Sequence, residues 1–255
     1  MLKSPLGPPP AQVSALDAMR FAFSDRDWLH SVLVGTVISL IPMAGPIVLM
    51  GWQSEILQRL VREHPRPIPK LEFSDLSHYL GRGVVPFAVQ LIAALPLGIV
   101  ITMAAFMLSV GANVIMRGGL DPAIVIGVSA LFVLIAAVGG AAVTVAVNGA
   151  LTAAELNGDF SGSLAPSALL RYGRATWATV LVSYFVFSLL VLLVLMGSAL
   201  VFCVGLYAGA VVVRLGQVHL RWQIYRRYRS LGGEALPLAA AADLPSEVQP
   251  RYGIG

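Results

Sequence analysis

His30, Glu55, Glu155, Arg214 and His219 are the ionisable side chains that fall in or beside otherwise apolar stretches of this chain. A charge in such surroundings is costly and is kept where it pairs, reaches water or handles a solute. Glu55 and Arg214 lie at corresponding points of two apolar segments. They either pair with each other or each reach back along their stems to a membrane surface. Gln53, Gln90, Asn113, Asn148 and Gln217 add uncharged polar groups suited either to interhelical hydrogen bonds or to a solute path. Glu55, Gln90, Asn148 and Arg214 are therefore the candidate intramembrane polar positions. No catalytic pattern accompanies them: there is no Gly-x-Ser-x-Gly elbow, His-Glu-x-x-His helix or phosphate-binding loop. Asp is absent from every span, which argues against proteolysis within the membrane. The four histidines are dispersed and Cys203 stands beside none of them, so no metal, cofactor or catalytic residue is expected. The chain reads as non-enzymatic.

The elements that must position these groups are membrane helices. Of 255 residues, 57% are hydrophobic and only 12% charged, and the mean hydropathy is +0.81, outside the range of soluble domains. From Ala175 to Val213 there is no Asp, Glu, Lys, Arg or His. At about 1.5 Å per residue this run far exceeds a hydrocarbon core of roughly 30 Å, so it folds back, with Met196, Gly197 and Ser198 as the small-residue break. Further apolar segments run from Trp28 to Ile41, Ile47 to Val61, Val84 to Val110 and Ala123 to Val147, with Pro42 and Pro46 turning the chain between the first two. Six spans place every Lys and Arg except Arg117 on the cytoplasmic side, as the positive-inside rule asks, with both termini cytoplasmic. A re-entrant first hairpin gives the same termini, whereas one kinked span from Ser31 to Gly51 leaves five crossings. The expected fold is thus an all-α membrane protein, about six transmembrane helices in the cytoplasmic (inner) membrane of a prokaryote.

A weak internal repeat organises these segments. His78-Tyr79-Leu80-Gly81-Arg82 and Arg171-Tyr172-Gly173-Arg174 each precede an apolar span, and each follows a short amphipathic stretch suited to the headgroup plane. Three hairpin repeats result. Residues 1–23 read as a tail and an interfacial helix with Val13, Leu16, Met19 and Phe23 on its apolar face, after which Ser24 and Asp27 form an N-cap. Residues 24–229 form the polytopic domain. Residues 230–255, rich in Gly, Ala and Pro, read as a mobile cytoplasmic tail. Arg221, Arg226, Arg227 and Arg229, interleaved with Trp222, Tyr225 and Tyr228, are candidates for anionic lipid headgroups, and nucleic acid is not needed to explain them. Gly205 and Gly209 let another helix approach, within the monomer or in a homo-oligomer.

Phe23 to Trp28, the turn from Ile41 to Pro46, Gly51-Trp52, the basic helix end at Arg59 and Arg62 and the proline-containing loop to Gly81 have a familiar pattern. The chain resembles a prokaryotic membrane family known as domain of unknown function 4013, over roughly Phe23 to Arg229. The resemblance implies a polytopic fold and carries no catalytic residue over.

Two functions stay open on the residues: a membrane scaffold that binds lipid or a partner subunit, and a transporter or channel for a small solute or lipid. Missing catalytic motifs, in-plane helices and the basic C-terminal helix favour the scaffold. Repeated hairpins and helices broken at Pro86 and Pro96 favour transport. The two part on whether Gln90, Asn148 or Glu55 share one cavity. A reporter fused after Arg26 should give a cytoplasmic signal; a periplasmic one overturns both the six-span and the re-entrant arrangement.

Overall fold

A computed structural model describes residues 12–118, 121–241 and 244 of the chain. Among them every regular element is helical. In chain order these are α1 (Ala15–Phe21), α2 (Trp28–Ser39), α3 (Ala44–Val61), α4 (Leu76–Met116), α5 (Pro122–Asn157), α6 (Phe160–Ser163), α7 (Pro166–Ala199) and α8 (Phe202–Ser230), with a single 3-10 turn at Phe73–Asp75 before α4. Helix starts follow local chemistry. Ser14 accepts from the Asp17 amide at 3.2 Å, Asp121 accepts from the Ala123 amide at 2.8 Å with Pro122 in the first position, and Pro166 opens α7. Asp159 accepts from the Ser161 hydroxyl and from the Ser161 and Gly162 amides, which hold its carboxyl below the ordinary carboxylate range. Gly158, at φ 67°, closes α5 in the left-handed region that favours glycine.

The helix bearing α4, α5 and α7 are long and apolar enough to cross a membrane. Their outer halves are uncovered: Leu95, Ile99 and Phe106 on α4, Leu134 and Val138 on α5, and Phe185, Leu189 and Leu193 on α7 are exposed. In water such apolar faces would drive association, whereas against lipid tails they are at no disadvantage. The packed half is at the other end. There α3 is enclosed by α4, α5 and α8, and it is buried almost continuously from Val48 to Leu60. Trp52, also buried, donates from Nε1 to the Pro69 carbonyl at 3.0 Å and so ties down the loop that leads to α4.

Several expectations are corrected by the packing. The amphipathic stretches before the second and third hairpins are not separate in-plane helices; they continue without a break into α4 and α7, so α4 alone has 41 residues, about 60 Å. The fold-back lies beyond the small-residue break, since α7 continues to Ala199 and the chain turns at exposed Leu200 and Val201. On α1 the buried residues are Ala15, Ala18, Met19 and Phe21, with the helix packed against α8, while Leu16 and, beyond the helix end, Phe23 are exposed. Ser24 does not cap α2; its hydroxyl donates to the Phe21 carbonyl at 2.8 Å, and Asp27 occupies the cap position. His219 belongs to this same contact, stacked on Phe21 with ring centroids 4.5 Å apart.

The stretch after α8 also departs from the free tail expected there. The Leu236 amide donates to Tyr225 Oη at 3.1 Å, the Ala239 amide to the Leu156 carbonyl at 2.7 Å, and Arg62 donates to the Ala239 carbonyl. Leu244 is fully buried. Residues 242–243 and 245–255 lie outside the described residues.

The tightest helix crossing joins α3 to α4. A Cβ on Gly51 would stand 1.8 Å from the Tyr79 carbonyl oxygen, and one on Gly83 would stand 1.8 Å from the Ile47 carbonyl oxygen. Neither obstacle is a flexible side chain, so the helices themselves must separate. Gly51→Ala gains about 1 kcal/mol of helix propensity but faces an overpacking cost of roughly 3 kcal/mol or more. Thermal unfolding of the purified variant in detergent should show a Tm lowered by several degrees. Gly81→Ala, which meets nothing within 4 Å, should leave Tm unchanged or slightly raised.

Candidate functional site

The helix that the fold encloses is not apolar. Gln53, Ser54, Glu55, Gln58 and Arg59 of α3 are all buried, and each must find its partner inside the bundle. Glu55 Oε1 accepts from Arg59 Nε, one turn on, at 2.8 Å, and Arg82 Nη1 stands 3.4 Å from Oε2. The glycine crossing puts Arg82 there, because Gly83 beside it touches the α3 backbone. Arg82 also donates to Gln58 Oε1, and Gln58 Nε2 donates to the Glu155 carbonyl at 2.8 Å. Glu155, fully buried on α5, takes Arg221 of α8 in a bidentate pair, Nη2 to Oε1 at 2.7 Å and Nε to Oε2 at 3.0 Å. This fork geometry matches a guanidinium to a carboxylate better than any point charge would. Four helices are thereby joined through one layer of charge and amide.

Next to that layer is a cleft of about 420 Å³. It runs along α8 from Arg221 to Ala210 and along α5 from Leu151 to Thr144, between the α4/α5 pair and the α7/α8 pair, with Met50 and Gln53 of α3 on its wall. Although both line the cleft, no Cα atoms of α4 and α8 come within 8 Å of each other among the described residues. Gln90, Asn148, Arg214 and Gln217 all face it. Asn148 is held in place from both ends: its amide nitrogen donates to Tyr184 Oη at 2.8 Å and its oxygen accepts from Tyr172 Oη at 3.1 Å. Gln53 donates from Nε2 to the Arg214 carbonyl at 3.0 Å, fixing α8 against α3. Between Tyr172 and α5 the contact depends on Gly149, where a Cβ would come within 3.0 Å of the Tyr172 ring.

Three of the four polar positions picked from the sequence, Gln90, Asn148 and Arg214, therefore meet in one cleft, and Glu55 does not join them. Glu55 and Arg214 do not pair; Glu55 is taken by Arg59 and Arg82. The arginine cluster on α8 divides. Arg221, read as a headgroup ligand, is buried against Glu155, and Tyr225 and Tyr228 are core residues rather than interfacial anchors. Arg226 and Arg229 are exposed, with Arg226 over the Trp222 ring at 4.7 Å and Arg229 donating to the Gly233 carbonyl at 2.7 Å; Arg227 is half-buried. The division follows helical periodicity: 221, 225 and 228 share one face, and 222, 226 and 229 share another. Reading Arg221 together with Tyr225 and Tyr228 as a face, instead of as a run of basic residues, is the signal that would have found it.

An all-helical protein with membrane-length apolar helices, a buried charge layer and a polar cleft beside it is the class that fold and site define. The chain belongs to the family described as Protein of unknown function (DUF4013), whose model matches residues 34–213. No curated protein and no solved structure matches the chain. The match begins within α2 and takes in Gln53, Gln90 and Asn148, ending one residue before Arg214.

Breaking the buried pair from one side leaves an uncompensated charge, at a cost of about 3–5 kcal/mol, whereas replacing both partners by apolar side chains removes the desolvation of both. Arg221→Met should lower Tm in detergent strongly, and Arg221→Met combined with Glu155→Met should recover most of the loss. If the double variant is no better than the single one, the pair is not what holds α5 to α8.

Proposed function

We propose that the protein is a multi-pass membrane protein that takes a small polar or amphiphilic solute into the cleft between its second and third helix pairs, as a transporter or a lipid-handling protein. The observation that carries this reading is the convergence of Gln90, Asn148 and Arg214, from three different helices, on one cleft. Polar groups that served only to join helices would be consumed by partners. Here Gln90, Arg214 and Gln217 line a shared space across which the α4 and α8 backbones stay more than 8 Å apart between Cα atoms among the described residues. Polar sites between helix pairs are where membrane proteins of this kind place solutes.

On this reading the helices form three hairpins in one orientation, α2/α3, α4/α5 and α7/α8, in a prokaryotic cytoplasmic membrane, with both termini in the cytoplasm. Tyr79 and Tyr172 support the repeat: each is buried at a crossing with the preceding helix pair, beside Gly51 and Gly149 respectively. At 12 residues, about 18 Å, α2 is short for a full crossing, and the first pair either dips into the bilayer or crosses a thinned part of it. Exposed Arg226 and Arg229, with Trp222, would sit at the anionic headgroups of the inner leaflet. No chemical step is assigned to the cleft, and the proposed activity is non-enzymatic. The scaffold reading draws support from these surface groups, which a solute-handling protein needs equally for its anchoring.

In a Cys203→Ser background, Gln90→Cys should react with a membrane-impermeant maleimide in intact vesicles of one orientation, whereas Ile99→Cys, on an exposed apolar face further out, should not. Failure to label Gln90→Cys from either side means that no water reaches the cleft, and the solute-handling reading is lost.

A further inference from the structure

We propose that the cleft selects an anionic headgroup, a phosphate or carboxylate, and that Arg214 is the residue that binds it. This rests on the cleft being a solute site, and it goes beyond that reading by naming the charge of the occupant.

The argument is one of charge balance. The buried layer holds two carboxylates, Glu55 and Glu155, and each is matched by guanidiniums within 3.4 Å: Arg59 and Arg82 for the first, Arg221 for the second. Arg214 is different. Among the described residues no hydrogen bond or ion pair reaches its guanidinium, and the carbonyl that Gln53 engages is its backbone. No Asp or Glu lines the cleft, whereas Arg214 and Arg221 both do. A cation would meet repulsion there, and an anion would find an unmatched positive charge flanked by neutral amides of Gln90 and Gln217.

Reach to the cytoplasm does not explain Arg214. It lies 16 residues before the end of α8 at Ser230, about 24 Å along the axis. Side chains on a helix also lean toward its N-terminus, which on α8 is the apolar end, so the stem of Arg214 leads away from the basic end and not toward it. A cation held this way inside a bundle is expensive unless a counter-charge or water completes it. Met50, Val147, Leu151, Leu195 and Val213 give the wall an apolar part beside these polar groups, so the cleft can cover a short hydrocarbon chain beside a charged head. That composition suits an anionic amphiphile, and a free phosphate or carboxylate would use the same guanidinium.

The test uses the full chain in phosphatidylcholine nanodiscs, with Tm followed on titration of four probes: hexyl phosphate, inorganic phosphate, hexyltrimethylammonium and hexyl glucoside. Hexyl phosphate is expected to raise Tm saturably, hexyltrimethylammonium is not, and Arg214→Gln should weaken hexyl phosphate at least about tenfold, the loss of one charge-assisted contact. Arg117→Gln, in an exposed position, should bind as the parent does. If inorganic phosphate matches hexyl phosphate, the natural occupant is a free anion; if hexyl phosphate binds more tightly, it is an amphiphile, and either result supports the inference. Equal binding of the cationic and anionic probes, or unchanged affinity in Arg214→Gln, overturns it. Should Arg214→Gln fail to fold, the charge preference of the parent protein still decides. Binding of hexyl glucoside without any preference for the anion defeats the anion inference alone, while an unlabelled Gln90→Cys defeats the cleft itself.

Discussion

Glu55 and Glu155 lie inside a helical bundle, and a carboxylate there is tolerable only with its charge and its lone pairs matched. That requirement dictates which helices must be neighbours. Glu155 is matched by Arg221, which α8 brings to α5, and Glu55, already bonded to Arg59 of its own helix, gains the second guanidinium of Arg82 from α4. Gln58, held by Arg82 and bonded to the Glu155 carbonyl, links the two pairs into one layer. Hydrophobic burial alone would not discriminate among helix arrangements in a membrane, where lipid is as apolar as the helix faces. The charge layer does discriminate, because a shifted register would leave guanidiniums and carboxylates buried and unmatched.

Close helix approach makes the layer possible. The backbone contacts at Gly51 and Gly83 bring α3 and α4 near enough for a side chain on one to reach a carboxylate on the other, and Gly149 leaves room for the Tyr172 ring against α5. Away from the layer the charged contacts end, and beyond the Asn148 bonds to Tyr172 and Tyr184 the outer apolar faces are uncovered. The cleft forms at this transition, where the packed half gives way to apolar helices that face outward. Its polar lining and its position are two consequences of one arrangement. The α8 helix connects them, with Arg221 committed to the layer and Arg214, two turns further out, facing the cleft.

The strap that follows α8 extends the packed half at its base. Its amides complete the Leu156 carbonyl and Tyr225 Oη, groups near the ends of α5 and α8 that would otherwise depend on water. Arg62, at the end of α3, bonds the same strap. Three helix ends are therefore tied together by a segment with no regular structure, on the side where the basic residues lie.

Much of the architecture was legible in the sequence because each inference depended on a single helix. Charge-free length located three helices long and apolar enough to cross a membrane, and the cost of buried polarity pointed to Gln90, Asn148 and Arg214, whereas the breaks expected at Pro86, Pro96 and Gly197 fall inside the continuous α4 and α7. Pairs such as Glu55 with Arg59 are set by the four-residue spacing of one helix and need no tertiary information. The partners across helices could not be read this way. That Glu55 meets Arg82 and not Arg214, that Arg221 turns inward to Glu155, and that the amphipathic stretches run on into α4 and α7 all depend on where separate helices cross. Those crossings are decided by small-residue contacts between distant parts of the chain, which spacing along one helix does not encode. Composition and periodicity thus determined an all-helical chain with apolar helices long enough to cross a membrane and with polar groups inside it. Only the tertiary structure decided which of those groups neutralise one another and which remain facing the cleft.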